Sequence, residues 1–256
     1  GNDRIDGGAG NDFASYAGAS GPVTVNLATN RASGAAGADT LVSIEGLIGS
    51  DYADTLIGGN GNDTIAGGAG ADSLVGGAGT DLASYAGAAT GVVVDLGAQT
   101  ASGGAGNDTL NTIEVVLGSD HADTLMGGTA ADTLLGGNGD DLIAGGAGAD
   151  SLVGGDGTDF ASYAGASGGV VVDLGAQTAS GSAGNDTLMS IEGALGSENA
   201  DTLTGGTAAD TLLGGNGDDT IAGGAGADSL LGGDGADTLD GGSDDCLLYT
   251  SPSPRD

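Results

Sequence analysis

The 256 residues carry 36 acidic side chains against 3 basic ones, a formal net charge of −33, with 58 glycines and an aromatic share of only 3%. That charge argues against nucleic acid or an anionic membrane surface as a partner, because phosphates would be repelled, and points to cations. So few aromatics argue against a core of large side chains, no apolar run approaches the ~18 residues of a membrane helix, and a lone cysteine, Cys246, leaves no internal disulfide framework.

The chain opens inside a repeat, GNDRID followed by GGAGND, which predicts a piece of a longer protein. Twelve complete nonapeptides follow, in blocks at 7–15, 58–84, 127–162 and 205–240. Two glycines open all twelve, among them Gly58, Gly67, Gly76, Gly136, Gly145, Gly154, Gly214, Gly223 and Gly232. Aspartate holds the sixth place in all twelve: Asp12, Asp63, Asp72, Asp81, Asp132, Asp141, Asp150, Asp159, Asp210, Asp219, Asp228 and Asp237. The eighth place is Ile or Leu in nine of them; the other three have Ala14, Ala83 and Ala161, each closing its block with Ala-Ser-Tyr.

A 42-residue insert follows each Ala-Ser-Tyr, at 16–57, 85–126 and 163–204. Each begins with alternating apolar residues (VTVNL, VVVDL, VVVDL), the period-2 pattern of a strand. A weaker nonapeptide carrying Asp39, Asp108 or Asp186 comes next, then six residues containing Ile-Glu, then a degenerate nonapeptide with Asp54, Asp123 or Asp201 in sixth place. Successive Ala-Ser-Tyr tyrosines lie 69 and then 78 residues apart, a difference of one nonapeptide, which a stacking solenoid tolerates. The last eleven residues, CLLYTSPSPRD, read as translated adapter sequence, so 243–256 is expected to be a non-native or disordered tail outside the 1–242 array.

The chemistry of the repeat points to metal. Glycines let the chain turn sharply with its carbonyls inward, and a hard cation such as Ca²⁺ takes six to eight oxygens at about 2.3–2.6 Å from carboxylates and carbonyls. The three residues after each aspartate suffice for a short strand with its middle side chain inward. Two nonapeptides then make an 18-residue coil, and stacked coils repeat at about 4.8 Å. Aspartates eighteen apart would form a self-repelling column unless cations lie between them. The pairs with this spacing are Asp63–Asp81, Asp132–Asp150, Asp141–Asp159, Asp210–Asp228, Asp219–Asp237, Asp54–Asp72, Asp123–Asp141 and Asp201–Asp219, which predicts about eight calcium sites. The six-residue segments are expected to break the register, leaving Asp39, Asp108 and Asp186 weak or silent. Ala130 and Ala208, in place of the fourth glycine, put two turns in question.

The pattern GGxGxD followed by x-apolar-x, kept in ten of twelve nonapeptides in register, resembles the calcium-binding nonapeptide of the RTX (repeats-in-toxin) family, of haemolysin and serralysin type. The Ala-Ser-Tyr, Val-x-Val-x-Leu and Ile-Glu segments are similar to connecting modules of long RTX arrays. The resemblance implies an all-β parallel β-roll or β-helix solenoid, calcium-dependent folding, and secretion from a bacterium through type I machinery.

A disordered acidic segment is the plainest competing reading, but a solvated linker has no reason to keep an apolar residue in phase at the eighth position. His121 is the only histidine and reads as a surface residue, while Glu45, Glu114 and Glu192 read as structural caps or ligands of an extra ion. Tyr16, Tyr85 and Tyr163 read as packing residues. With no nucleophilic triad and no H-E-x-x-H, this segment is not expected to be an enzyme, although it could serve an exported protease or lipase, or an adhesin. Variable third and fifth positions (Thr207/Ala209, Asn216/Asp218, Ala225/Ala227, Asp234/Ala236) argue against ice binding.

Overall fold

The computed structural model describes residues 1–243 and 246–249. All regular structure among them is β, and no helix is long and apolar enough to cross a membrane. The chain divides into two compact units, Gly1–Leu125 and Met126 onward.

In the first unit the block 58–84 shows the construction most simply. Strands Thr64–Ala66, Ser73–Val75 and Leu82–Ser84 are three residues long, alternate between two sheets, and turn only their middle residue inward. Ile65, Leu74 and Ala83 are fully buried. Pairing is parallel at a separation of eighteen residues, Leu56 on Leu74 and Ile65 on Ala83. Each buried Leu or Ile contributes roughly 1.5–3 kcal/mol. The core is therefore thin but continuous, one aliphatic side chain per half-coil.

The second unit repeats the plan. Leu134 stacks on Leu152, Leu212 on Leu230 and Ile221 on Leu239, and all but the last are buried. The expected β-roll built from half-coil nonapeptides is the fold of both units.

Each insert contributes a three-strand antiparallel meander spliced into a single sheet. In the first it runs Val23–Asn26, Arg31–Gly34, Asp39–Val42. Its first strand pairs in parallel with Thr55–Ile57 and its last with Arg4–Asp6. The second (Val92–Asp95, Thr100–Gly103, Gly106–Asn111) and the third (Val170–Asp173, Thr178–Gly181, Gly184–Met189) are built alike. Their alternation is the expected one: Val92 and Val94 are buried while Val93 is 44% exposed.

Two expectations need correction. The inserts do not throw Asp39, Asp108 and Asp186 out of register. The meander absorbs two whole coils, so each of these lies 36 residues from its partner, and all three are buried. The tail is not disordered throughout either. Leu247–Tyr249 pairs in parallel with Ser229–Leu231, again eighteen residues on, with the Leu247 N–H donating to the Asp228 carbonyl. An open sheet edge offers unpaired backbone groups to any adjoining stretch of chain. Leu247–Tyr249 takes that place, with Cys246 at the sixth position of the period, whereas Asp244, Asp245 and 250–256 lie outside the described residues.

Candidate metal centres

Every sixth-position aspartate from Asp54 to Asp228 is buried, between 0% and 6% exposed, and Asp12 and Asp237 are half-buried. Side chains this polar enter the interior because the backbone receives them. The Oδ1 atom of each accepts the backbone N–H of the aspartate one coil earlier: Asp54 to Asp72 at 2.8 Å, Asp63 to Asp81 at 2.8 Å, Asp132 to Asp150 at 2.9 Å. The same bond joins Asp141 to Asp159 at 2.8 Å, Asp201 to Asp219 at 2.9 Å, Asp210 to Asp228 at 3.0 Å and Asp219 to Asp237 at 3.1 Å. Seven of the eight spaced pairs are thus vertical neighbours within a unit.

First-position glycines complete the cradle. Gly58, Gly67, Gly76, Gly136, Gly145, Gly154, Gly214, Gly223 and Gly232 are all buried, and a β-carbon on any of them would run into its own turn's aspartate carboxylate. At Gly58, Gly136 and Gly214 it would also meet the carbonyl of the glycine one coil on. Carboxylate and stacked carbonyls therefore share one space that only glycine leaves open.

The second carboxylate oxygen, Oδ2, divides the turns into two kinds. In one kind the second residue of the turn donates its N–H to it: Gly59 to Asp63 at 2.6 Å, Gly128 to Asp132 at 2.7 Å, Gly206 to Asp210 at 2.6 Å. Ser50, Ser119 and Ser197 do the same for Asp54, Asp123 and Asp201, and add their hydroxyls at 2.8–3.0 Å to Oδ1. In the other kind the second residue is a glycine in the left-handed region, such as Gly68 (φ 99°), Gly146 (φ 91°) and Gly224 (φ 98°), and it donates no hydrogen bond to Oδ2. There Oδ2 of Asp12, Asp72, Asp81, Asp150, Asp159, Asp219, Asp228 and Asp237 is buried with no hydrogen-bond partner. The turns with Ala130 and Ala208 fall in the first kind, with Asp132 and Asp210 still buried.

Burial raises the pKa of seven of the block carboxyls. Desolvation pushes Asp72 and Asp150 up to about 6; the N–H of Asp54 or Asp132 pulls each back, and neighbouring carboxylates add to the rise. Asp63, Asp132, Asp159, Asp210 and Asp219 are shifted up by the same leading cause. A buried carboxylate oxygen without a donor is costly, and a bound cation would relieve that cost. No three His, Cys, Asp or Glu side chains converge among the described residues. A cation here would thus take one carboxylate per turn and complete its shell from carbonyls, a donor set that suits a hard ion.

Several participants were not legible as such in the sequence. Asp39, Asp108 and Asp186 stand in the column, accepting from Asp3 at 2.9 Å, Asp72 at 3.0 Å and Asp150 at 3.0 Å. The Tyr16 hydroxyl donates to Asp39 Oδ2 at 3.2 Å and that of Tyr163 to Asp186 Oδ2 at 3.1 Å, so these tyrosines do more than pack. Glu45, Glu114 and Glu192 occupy the sixth-position slot of a shortened turn, accepting the N–H of Asp12, Asp81 and Asp159 at 3.0–3.1 Å. The constant interval of 23 residues from tyrosine to aspartate was the available signal. His121 is exposed, as expected.

The family profile described as RTX calcium-binding nonapeptide repeat (4 copies) matches residues 1–15, 48–83, 95–112, 117–152, 126–161, 173–189, 195–230 and 213–245, more than half of the chain. No curated protein is significantly similar to it.

Proposed function

This chain belongs to the RTX calcium-binding nonapeptide-repeat family, and from that premise we propose that it is a folding switch: a secreted segment whose repeat blocks become a rigid roll when calcium is taken up outside the cell. The observation that carries this reading is the set of eight buried Oδ2 atoms without a donor, each in the sixth place of a block turn. Asp12, Asp72, Asp81, Asp150, Asp159, Asp219, Asp228 and Asp237 would hold the ions, with stacked backbone carbonyls beside several of them (Ser43 at Asp12, Thr112 at Asp81, Ser190 at Asp159 and Gly232 at Asp219), which again gives about eight sites. When bound, calcium supplies the positive charge that the composition lacks.

The chain's own part is to position oxygens and keep water out. The aspartate N–H to Oδ1 ladder fixes each carboxylate, the buried Leu or Ile at the eighth position holds each strand, and glycine leaves the carbonyls room. With 32 aspartates and little apolar surface, the unliganded blocks cannot readily offset the entropy of ordering. Low cytoplasmic calcium would thus keep them extended, a form suited to a type I channel. Outside, affinities of about 10⁻⁴–10⁻³ M, usual for extracellular modules, would suffice. The segment would serve a longer protein as folding module or spacer.

Far-ultraviolet circular dichroism across a calcium titration tests this. The β signal should grow with calcium and fall again with chelator. A spectrum indifferent to calcium would overturn the reading.

A further inference from the structure

The inserts treat their acidic residues differently from the blocks. Within each 42-residue insert three acidic side chains face the column positions, and protein donors meet all three. In the third insert, Asp186 has the Asp150 N–H on Oδ1 and the Tyr163 hydroxyl on Oδ2. Glu192 accepts the Asp159 N–H. Asp201 accepts the Ser197 N–H, the Ser197 hydroxyl and the Val170 N–H. The first insert repeats this with Asp39, Glu45 and Asp54, served by Tyr16, Asp12, Ser50 and Val23. In the second, Glu114 and Asp123 match and the Asp72 N–H donates to Asp108, but the buried Tyr85 hydroxyl makes no hydrogen bond. None of these insert carboxylates leaves a buried oxygen orphaned, in contrast to the eight block aspartates.

Geometry supplies two further differences. The turn before each glutamate keeps only a Ser or Thr with positive φ (Ser43, Thr112, Ser190) and an isoleucine, where a block turn has five residues. The carbonyl-lined loop is missing there, and the longer glutamate arm spans the gap. The meanders also pair locally, with neighbouring strands joined by short turns and valines buried beneath, so their order costs little loop closure.

We propose that the three inserts are calcium-independent segments, and that in the first and third Tyr16 and Tyr163 stand in for the cation and close the sixth-position carboxylate with a hydroxyl. The roll then alternates cation-dependent blocks with self-sealed inserts, which persist in chelator as templates on which the blocks stack. This rests on the calcium reading of the blocks.

Hydrogen exchange of the full chain, read by mass spectrometry in chelator and in calcium, tests it. In chelator, peptides from 163–204 should exchange at least ~10-fold more slowly than peptides from 205–240, and calcium should close the gap. Tyr163→Phe should erase the insert's protection in chelator while leaving it in calcium. Insert and block exchanging alike in chelator, both slowed by calcium, would overturn this inference and leave the calcium reading standing. Equal protection with and without calcium would instead sink the calcium reading, and the contrast with it. A calcium count by native mass spectrometry gives an independent arm: Asp186→Asn should leave the count unchanged and Asp150→Asn should lower it. An equal loss from both would overturn the inference.

Discussion

Block 205–240 and insert 163–204 both carry acids at the sixth position of their turns, yet they meet them by different means. In the block, Asp219 and Asp228 bring a buried carboxylate oxygen to a turn whose second glycine donates it no hydrogen bond. In the insert, a tyrosine, a serine and a glutamate on a shortened turn meet the charge from within. An acidic column therefore has no fixed meaning: the second residue of the turn decides whether it reads as an ion site or a capped turn. Glycine with positive φ opens the carboxylate. Serine, which disfavours that φ, caps it.

Calcium withdrawal should have the largest effect on the difference between block and insert. A site held at 100 times its Kd contributes about 2.7 kcal/mol, so emptying several sites exceeds any single substitution. A calorimetric melt of the full chain should lose its high-temperature block transition on chelation.

Acid should come next, with opposite signs in the two states. The raised carboxyls, Asp72 and Asp150 at about 6 against an unperturbed 3.8, favour protonation in the folded form. In chelator the stability they contribute is fully present below 3.8 and is lost as pH rises through about 6. The chelated blocks should therefore gain β signal on acidification between those values. With calcium the order should invert, because protonation competes with the ion.

Among substitutions, Leu74→Ala should cost about 2–5 kcal/mol in calcium, because it empties a fully buried position, whereas Val93→Ala on an exposed strand face should stay within about 0.5 kcal/mol. Urea titration of both variants reads the difference. A smaller contrast separates the two kinds of turn. Gly68→Ala forces φ +99° on an L residue and drives its β-carbon onto the Ser50 carbonyl, costing about 1–3 kcal/mol. Gly206→Ala, in a self-capped turn with only ordinary contacts, should be near neutral.

Much of the fold could be read from the chain because its period is rigid. An apolar residue two places after each aspartate fixes a three-residue strand, and this sets the eighteen-residue pairing, as Leu212 on Leu230 illustrates. The inserts were harder. VVVDL announced a strand, but nothing local revealed that three strands would fold back to occupy two coils and return Asp186 to register beneath Asp150. Tyr163 and Asp186 meet only through that long closure. Nor did the spacing separate open from capped aspartates, since Asp63 and Asp72 sit in nearly identical sequences and differ in the backbone of Gly59 and Gly68. The register of Leu247–Tyr249 shows the same strength of period from the other side: a sheet edge captures the segment eighteen residues on, even with Cys246 in the aspartate's place.

The most direct measurement is a crystal structure of the full chain grown in calcium, with anomalous difference maps locating the ions. Peaks are expected beside Oδ2 of the open block aspartates, such as Asp150, Asp219 and Asp228, and none beside Asp186 or Asp201. Turns of the blocks filled by water, with their carboxylates swung out to solvent, would contradict a roll held together by cations.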